Sequence, residues 1–456
     1  MSFSRPLDFL EKYYFWRTKL NYYSNCRIVA EYNLLLSEET VFNALERMLR
    51  TFPQLCTTIS RNGDNAHLIH SLLFKDVVEF IEDDCLNDPE VMLNKFHNDA
   101  FEFSGDNVVW KLKVINKKFL MFYFDHILYD GGSGKNFHEE FSKALASPDG
   151  KSILKYRNSD SLVFQRSNCE PYNIMPSPSQ IIDYSSSWGG LIYTFFMMLA
   201  PSFITKFIRR MFDQHPYAKL LSYKRLSLSS TGLISDHIGS RCKVFHIPTY
   251  DLKGLLKLCT KNGVKLTSLI ATISQMSLGN IIKTNEDTKI DIPVDIRKFI
   301  KEDKGKALSP KFSNVFGLFM SAVQVDVPSV NKLQIDDGLN WNFVSYVHNK
   351  IHNEIPFSPR LVGLLKFVDP KKFVMDKIKN KEIGNLEVSN LGVISPQGSA
   401  HIVNVWFDQP PQMFSINVIS SSAGANLVMR TCDPSMLDRF HSEFVKLTNG
   451  ILSSLN

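Results

Sequence analysis

The sequence predicts an α+β protein built as two lobes, and three observations carry that prediction. The chain has 456 residues, more than one hydrophobic core normally serves. Strand-like and helix-like patterns alternate in a similar rhythm within residues 1–150 and again within 236–456, although no identity links the two as a repeat. Between them, residues 151–235 form a crossover that turns first to loop chemistry and then to an apolar stretch.

Taken in order, residues 8–20 place Phe9, Tyr13, Trp16 and Leu20 at helical spacing with charges between them. This is an amphipathic helix whose aromatic side rests on the core or on a bilayer. Residues 26–32 alternate as a strand. Ser37 is an N-cap, and Glu38 and Glu39 suit the positive end of the helix that follows. That helix carries Val41, Leu45, Met48, Leu49 and Phe52 on one stripe until Pro53 stops it. Strands are expected at 57–60, 67–74 and 77–81 and a helix at 89–101. An alternating strand at 108–115 is turned by Asn116, Lys117 and Lys118 into the next run. The next run, Phe119-Leu-Met-Phe-Tyr-Phe124, is apolar throughout and ends at Asp125 and His126, with Asp130, Gly131, Gly132 and Gly134 close behind. Such a run reads as a fully buried strand entering a tight turn, where the glycines permit positive φ and close approach of a ligand. Phe137, Phe141, Ala144 and Leu145 then mark a short helix.

Residues 147–180 carry the prolines, serines and glycine of a linker. Residues 184–205 contain no charged side chain before Lys206, Arg209 and Arg210. A membrane-spanning helix needs ~20 predominantly apolar residues, and here three serines, two glycines and Pro201 dilute the stretch. A span, an interfacial anchor or entrance for a hydrophobic substrate, and a buried crossover all remain open.

In the second lobe the pattern predicts a strand at 241–248, a helix at 251–261, and a helix capped by Thr267 that buries Leu269, Ile270, Ile273 and Met276. Strands at 289–296 and 313–327 flank the basic loop 298–311. A long helix carries Leu339, Phe343, Val347 and Ile351. Strands follow at 385–394 and 401–407, then a hairpin of 413–419 with 426–430, and a last helix burying Leu437, Phe440, Phe444 and Leu447.

Composition narrows the class. With 44% hydrophobic and 21% charged residues the chain is an ordinary globular protein, and its net charge of +6 is dispersed, which gives nucleic-acid binding no support. A small anionic ligand or an acidic membrane surface suits it equally well. Seven cysteines, odd in number and without a Cys-x-x-Cys pair, indicate reduced thiols in a cytoplasmic protein and no zinc site. The first residues lack a positive segment followed by an apolar core, so no signal peptide is expected.

His126 is the natural centre of any chemistry. An imidazole at a rigid strand end can take a proton from a hydroxyl or amine and return one to a leaving group. It can also be simply a hydrogen-bonded histidine at the end of a buried strand. The pattern His126-x-x-x-Asp130-Gly131 resembles the signature of CoA-dependent acyltransferases, the superfamily of chloramphenicol acetyltransferase and condensation domains. Phe9-Leu-Glu-Lys-Tyr-Tyr-Phe15, Tyr23-Ser-Asn25 with Val29-Ala-Glu-Tyr-Asn33, Ile292-Pro-Val-Asp-Ile-Arg297 and Val388-Ser-Asn-Leu-Gly392 narrow this to the fungal alcohol acetyltransferase family.

The resemblance implies two chloramphenicol-acetyltransferase-like lobes with mixed sheets and a channel between them, His126 midway along it, and acetyl-CoA as co-substrate. It further implies that Asp130 pairs with Arg297 across the lobes, the lesser alternative being that Arg297 is a solvated strand-end residue. Ser313, Asn314 and Asn390 are oxyanion or channel positions. Lys301, Lys304, Lys306 and Lys311 either meet the phosphates of CoA or are a solvated loop.

Other motifs fail on spacing. Gly131-Gly-Ser-Gly-Lys-Asn136 lacks Walker spacing, and Lys135 stands where a nucleophile elbow around Ser133 requires glycine. His348 and His352 lack both the Glu and the third ligand of a metal site. The expected activity is direct transfer of acetyl to a hydrophobic alcohol with His126 as base. N-acetylation of a long-chain, sphingoid-like amino alcohol in detoxification is the first alternative, and a non-catalytic lipid- or partner-binding module of the same fold the second. A monomer is expected, cytoplasmic or peripheral at the endoplasmic reticulum or a lipid droplet.

Overall fold

The computed structural model describes residues 3–453 apart from 23–24, 98, 100, 148–151, 169–173, most of 186–214, 222–239, 301–314, 334–338, 381–385, 396–397 and 411–412. Two sheets carry the fold. Along the chain their strands are β1 (Asn25–Tyr32), β2 (Val78–Ile81), β3 (Trp110–Ile115), β4 (Phe119–Asp125), β5 (Arg241–Pro248), β6 (Thr288–Asp295), β7 (Met320–Val327), β8 (Leu386–Val393), β9 (Ile402–Asp408), β10 (Phe414–Ser421) and β11 (Gly424–Thr431). The first sheet runs β9-β1-β4-β3-β2 and the second β5-β11-β10-β8-β6-β7. Both mix parallel and antiparallel neighbours: β2 with β3, β6 with β8 and β8 with β10 are parallel, the rest antiparallel.

The unbroken apolar run of β4 is explained by what lies on each face. Leu120, Phe122 and Phe124 enter a core shared with the helices Glu38–Thr51 and Gly131–Ala146. There the Phe122 ring stacks on Phe137 with centroids 4.0 Å apart, and full burial of each such ring contributes roughly 1.5–3 kcal/mol. Phe119 and Met121 point the other way, into a cluster with Val29 and Trp406 that packs on Cys242 and Val428 of the second sheet. A strand buried on both faces has no polar face to alternate with.

The second sheet is two-faced. Ile290, Ile292, Val323, Val325, Leu386, Val388 and Ile416 pack under the helices Leu266–Ile282, Trp341–Glu354 and Pro434–Ser453. The alternate residues Lys289, Asp291 and Pro293 of β6, Ala322 and Gln324 of β7, and Glu387 and Ser389 of β8 line a cavity instead.

Several expectations are corrected. Strand 401–407, grouped by sequence with the 236–456 lobe, is β9 of the first sheet and pairs antiparallel with β1. It gives Ile402, Val405 and Phe407 to the first core and covers what would otherwise be a bare edge. Gly131, Gly132 and Gly134 do not form a positive-φ turn; they open the helix Gly131–Ala146 with ordinary helical backbone. The expected strand 67–74 breaks into Asn65–Leu68 and Ser71–Leu73 before the helical turn Phe74–Val77. The linker is not structureless, since Leu162–Gln165 pairs with Ser71–Leu73. The helix at 89–101 is the shorter Pro89–Lys95. The first helix, Phe9–Lys19, rests on the core and buries Leu10, Tyr13, Tyr14, Phe15 and Arg17. Most of 184–205 lies outside the described residues. Among the described ones, Tyr184 packs edge-on against Phe9, Ile192 and Phe196 are exposed, and no helix is long and apolar enough to cross a membrane.

Candidate active site

One cavity of about 1060 Å³ lies where the lobes meet, and both contribute walls. The helix Phe9–Lys19 supplies Leu10, Tyr13, Tyr14 and Arg17, the turn after β4 supplies His126 and Asp130, and the second sheet supplies the polar residues named above. Leu10, Val294, Ile300, Met320, Val362 and Leu365 make part of the wall apolar.

His126 follows β4 directly, so its position is set by a strand buried on both faces. The ring is 3% exposed yet forms part of the cavity wall. Its Nδ1 lies 3.0 Å from the carbonyl oxygen of Tyr129, which can only accept. The proton therefore sits on Nδ1 and Nε2 carries the lone pair. Burial, reinforced by the positive charge of Arg17, lowers the His126 pKa to about 4 against the opposing pull of Asp130. At neutral pH the ring is a neutral base.

Asp130 caps the helix that follows, accepting from the backbone N–H of Ser133 at 2.7 Å. Arg297 reaches the same carboxylate from the other lobe with both Nη groups, at 3.0 and 2.7 Å, and the N–H of Phe319 adds a bond of 2.8 Å. Burial works to raise the Asp130 pKa, but the charge and hydrogen bonds of Arg297 outweigh it and hold the carboxyl below its usual range. Arg297 is fastened in turn: its Nε donates to the Val315 carbonyl, Nη2 to the Ser133 hydroxyl, and Nη1 to Asp295. Gly132 makes room for this approach, and Gly131 for a neighbouring side chain. A Cβ on Gly132 would stand 2.5 Å from Nη1 of Arg297, and one on Gly131 2.6 Å from the Leu391 side chain.

Asn390 lines the cavity, where its amide donates to the Thr267 hydroxyl at 3.1 Å and its oxygen accepts from the N–H of Gly392. Ser313, Asn314, Lys301, Lys304, Lys306 and Lys311 lie outside the described residues. His348 and His352 lie against each other with centroids 4.1 Å apart and planes tilted by 47°, and His348 meets the Ser268 hydroxyl.

Sequence reasoning missed three sets of residues. Cys26 of β1 places Sγ 3.0 Å from Nε2 of His126 and 3.5 Å from Oε1 of Gln409. Asp291 and Gln324 stand opposite each other on β6 and β7, with Glu387 beside Asp291 on β8, a polar row across three strands. Asp291 is 4% exposed, burial raises its pKa, and its Oδ1 has no hydrogen-bond partner among the described residues. The third set is Arg17, whose guanidinium lies 4.9 to 5.5 Å from the ring centres of Tyr14, Tyr22 and Tyr13. Lys289 and Asp291 alternating with Ile290 and Ile292 were the available signal; Cys26 had none.

Two mixed lobes, a shared cavity, and a neutral buried histidine followed by an aspartate locked to the opposite lobe define a CoA-dependent acyltransferase of the chloramphenicol-acetyltransferase-like class. Within that class the chain belongs to the alcohol acetyltransferase family, whose sequence profile matches residues 7–452. It is 23% identical to N-acetyltransferase SLI1 of Saccharomyces cerevisiae, over 91% of this chain and 92% of that protein. It is also 23% identical to an uncharacterized protein of Schizosaccharomyces pombe, over 98% and 96%. Among solved structures, the TRI3 trichothecene 15-O-acetyltransferase from Fusarium sporotrichioides superposes with a TM-score of 0.68 at 11% identity, covering 98% of this chain and 95% of that one. A condensation domain of the Monacolin K polyketide synthase MokA does so with 0.58 at 10%, covering 99% and 97%. The protein is an acetyltransferase, and its family implies acetyl-CoA and an acceptor as its substrates.

Proposed function

We propose that the protein transfers acetyl from acetyl-CoA directly to the hydroxyl of a hydrophobic acceptor, with Nε2 of His126 as general base. The observation that carries this is the imidazole held neutral, with its proton fixed on Nδ1 by Tyr129, in the wall of a cavity that both lobes line. The acceptor O–H gives its proton to Nε2 as the oxygen attacks the thioester carbonyl. The tetrahedral intermediate collapses with loss of the C–S bond, and the imidazolium returns the proton to the CoA thiolate. No acyl-enzyme is needed. In this reading Asp130 and Arg297 act on geometry, fixing the segment that follows His126. Asn390, Ser313 and Asn314 are the candidate donors to the oxyanion, and the lysines at 301, 304, 306 and 311 the candidate partners of the CoA phosphates. The apolar wall residues Leu10, Ile300, Val362 and Leu365 support a hydrophobic acceptor. Reduced Cys26 beside the base suits the cytosol.

The row of Gln324, Asp291 and Glu387 favours a second reading, in which the acceptor also carries hydroxyls for this row to hold and the acetylated atom is the nitrogen of a neutral amine. One experiment tests both: release of free CoA from acetyl-CoA by the purified protein against a panel of plain alkanols, diols and long-chain amino alcohols. His126→Ala should lower kcat by about 10²–10⁴ with any productive acceptor. Asp291→Asn should raise KM for amino alcohols and leave alkanols unchanged if the second reading holds. An unaltered kcat in His126→Ala rejects the base assignment.

A further inference from the structure

The transfer chemistry gives Cys26 no part, yet its Sγ lies 3.0 Å from the nitrogen that does the work. Because Nδ1 spends its hydrogen on the Tyr129 carbonyl, Nε2 presents a lone pair, and the group that approaches it must be a donor. The thiol hydrogen fills that role. Sulfur has a second acceptor within reach, Oε1 of Gln409 at 3.5 Å. The Gln409 side chain is oriented by its amide nitrogen, which donates to Glu387, so its oxygen is turned toward the thiol. Gln409, Glu387 and Tyr14 all line the cavity, and the Tyr14 ring lies over the imidazole with centroids 5.3 Å apart.

We propose that Cys26 is a positioning residue that gates the base. With no acceptor bound its S–H caps Nε2 of His126; when an acceptor arrives, the Cys26 side chain swings toward Oε1 of Gln409, carrying Sγ off the Nε2 lone pair as its S–H bonds to that oxygen, and the lone pair receives the acceptor's proton instead. The inference rests on the assignment of His126 as base.

Three physical points carry it. An sp² nitrogen has one lone pair, so cap and acceptor exclude each other. A thiol is a weak donor, so a hydroxyl or amine that is also held by the cavity walls displaces it, whereas a single water has no such remote contacts to offset the opening. And Cys26 is placed to donate rather than to attack: it is fully buried, it is not one of the cavity-lining residues, and burial keeps its proton on sulfur. The consequence is restraint of acetyl-CoA hydrolysis in the absence of acceptor.

The test measures CoA release by the full-length protein with and without acceptor, and the pH profile of kcat/KM, in Cys26→Ala, Cys26→Val and Cys26→Ser. Ala and Val remove the donor, and the ratio of acceptor-independent hydrolysis to transfer should rise about tenfold, the scale of one lost hydrogen bond. The acid limb of the profile should move to higher pH, because a donor on Nε2 stabilises the neutral ring. Ser keeps a donor and should stay near the parent on both counts. Unchanged ratio and limb in Ala and Val, or a Ser variant that behaves like Ala, overturns the gate. If the small variants fail to fold, the infrared difference spectrum of parent minus Cys26→Ser decides. A hydrogen-bonded S–H band that shifts on adding an unreactive acceptor analogue supports the gate, and a band at the frequency of an unbonded thiol rejects it. A parent protein that acetylates nothing shows itself in the first arm and counts against His126 rather than against Cys26.

Discussion

Asp130 accepts four hydrogen bonds, from both Nη groups of Arg297 and from the backbone of Ser133 and Phe319. It joins the segment that follows His126 to the opposite lobe, with 3% of its surface exposed. Asp130→Ala therefore removes the buried counter-charge of Arg297 and leaves it only the solvent-exposed Asp295, and the expected loss of unfolding free energy approaches that of a broken buried pair, about 3–5 kcal/mol. Replacing both partners by apolar residues of similar size should recover much of that stability without recovering kcat, because stability then returns while the His126 segment loses its fastening. Urea titration of the single and double variants beside kcat measures the separation. Equal recovery of both would show that the pair contributes stability alone.

At the scale of elements, a second buried charge cluster closes the seam. Asp408 of β9 takes Arg430 of β11 in a two-point bond of 2.9 and 2.8 Å, and Nε of Arg27 of β1 lies 3.6 Å from the same carboxylate. The arginines spend their remaining donors on carbonyls around them: Arg27 on Phe96 and His97, Arg430 on Leu93 and Ser240. One carboxylate thus serves both sheets. Asp408→Ala strands two buried cations and is expected to cost at least as much as breaking a single buried pair, about 3–5 kcal/mol. Asp408→Asn, which keeps the shape and half the acceptors, should cost less. Denaturant midpoints that do not move would show that water replaces the carboxylate and that the strand, not the charge, holds the sheets together.

For the whole molecule, acid is the informative stress. His126 and His138 are both buried, and burial lowers both to about 4 from an ordinary 6.5. His138 is further pinned by Nε2–H to the Ile28 carbonyl and by the Tyr32 hydroxyl on Nδ1. A lowered folded-state pKa means the unfolded chain binds more protons between 6.5 and 4. The stability these rings contribute is present above 6.5 and lost as the pH falls through 4. Glu11 and Asp291, raised by burial, act in the opposite sense. His138→Gln isolates the histidine contribution: the fall in unfolding free energy from pH 7 to pH 5 should be shallower in the variant than in the parent. Equal slopes would show that His138 titrates normally in the folded state.

The chain's own pattern determined the two mixed lobes, the buried strand at 119–124, the hairpin of β10 and β11 and, through a family resemblance, the pairing of Asp130 with Arg297. Local periodicity and turn chemistry act over a few residues and are written in the order of the chain. Tertiary structure decided the rest. It carried β9 back to the first sheet, put the 131–134 glycines in a helix where Gly132 leaves the space that Arg297 occupies, and brought Cys26, Gln409 and Glu387 in sequence-distant steps to one imidazole. Those contacts span 22 to 383 positions, and side chains that meet only because two sheets pack face to face leave no periodic trace in the segments that supply them.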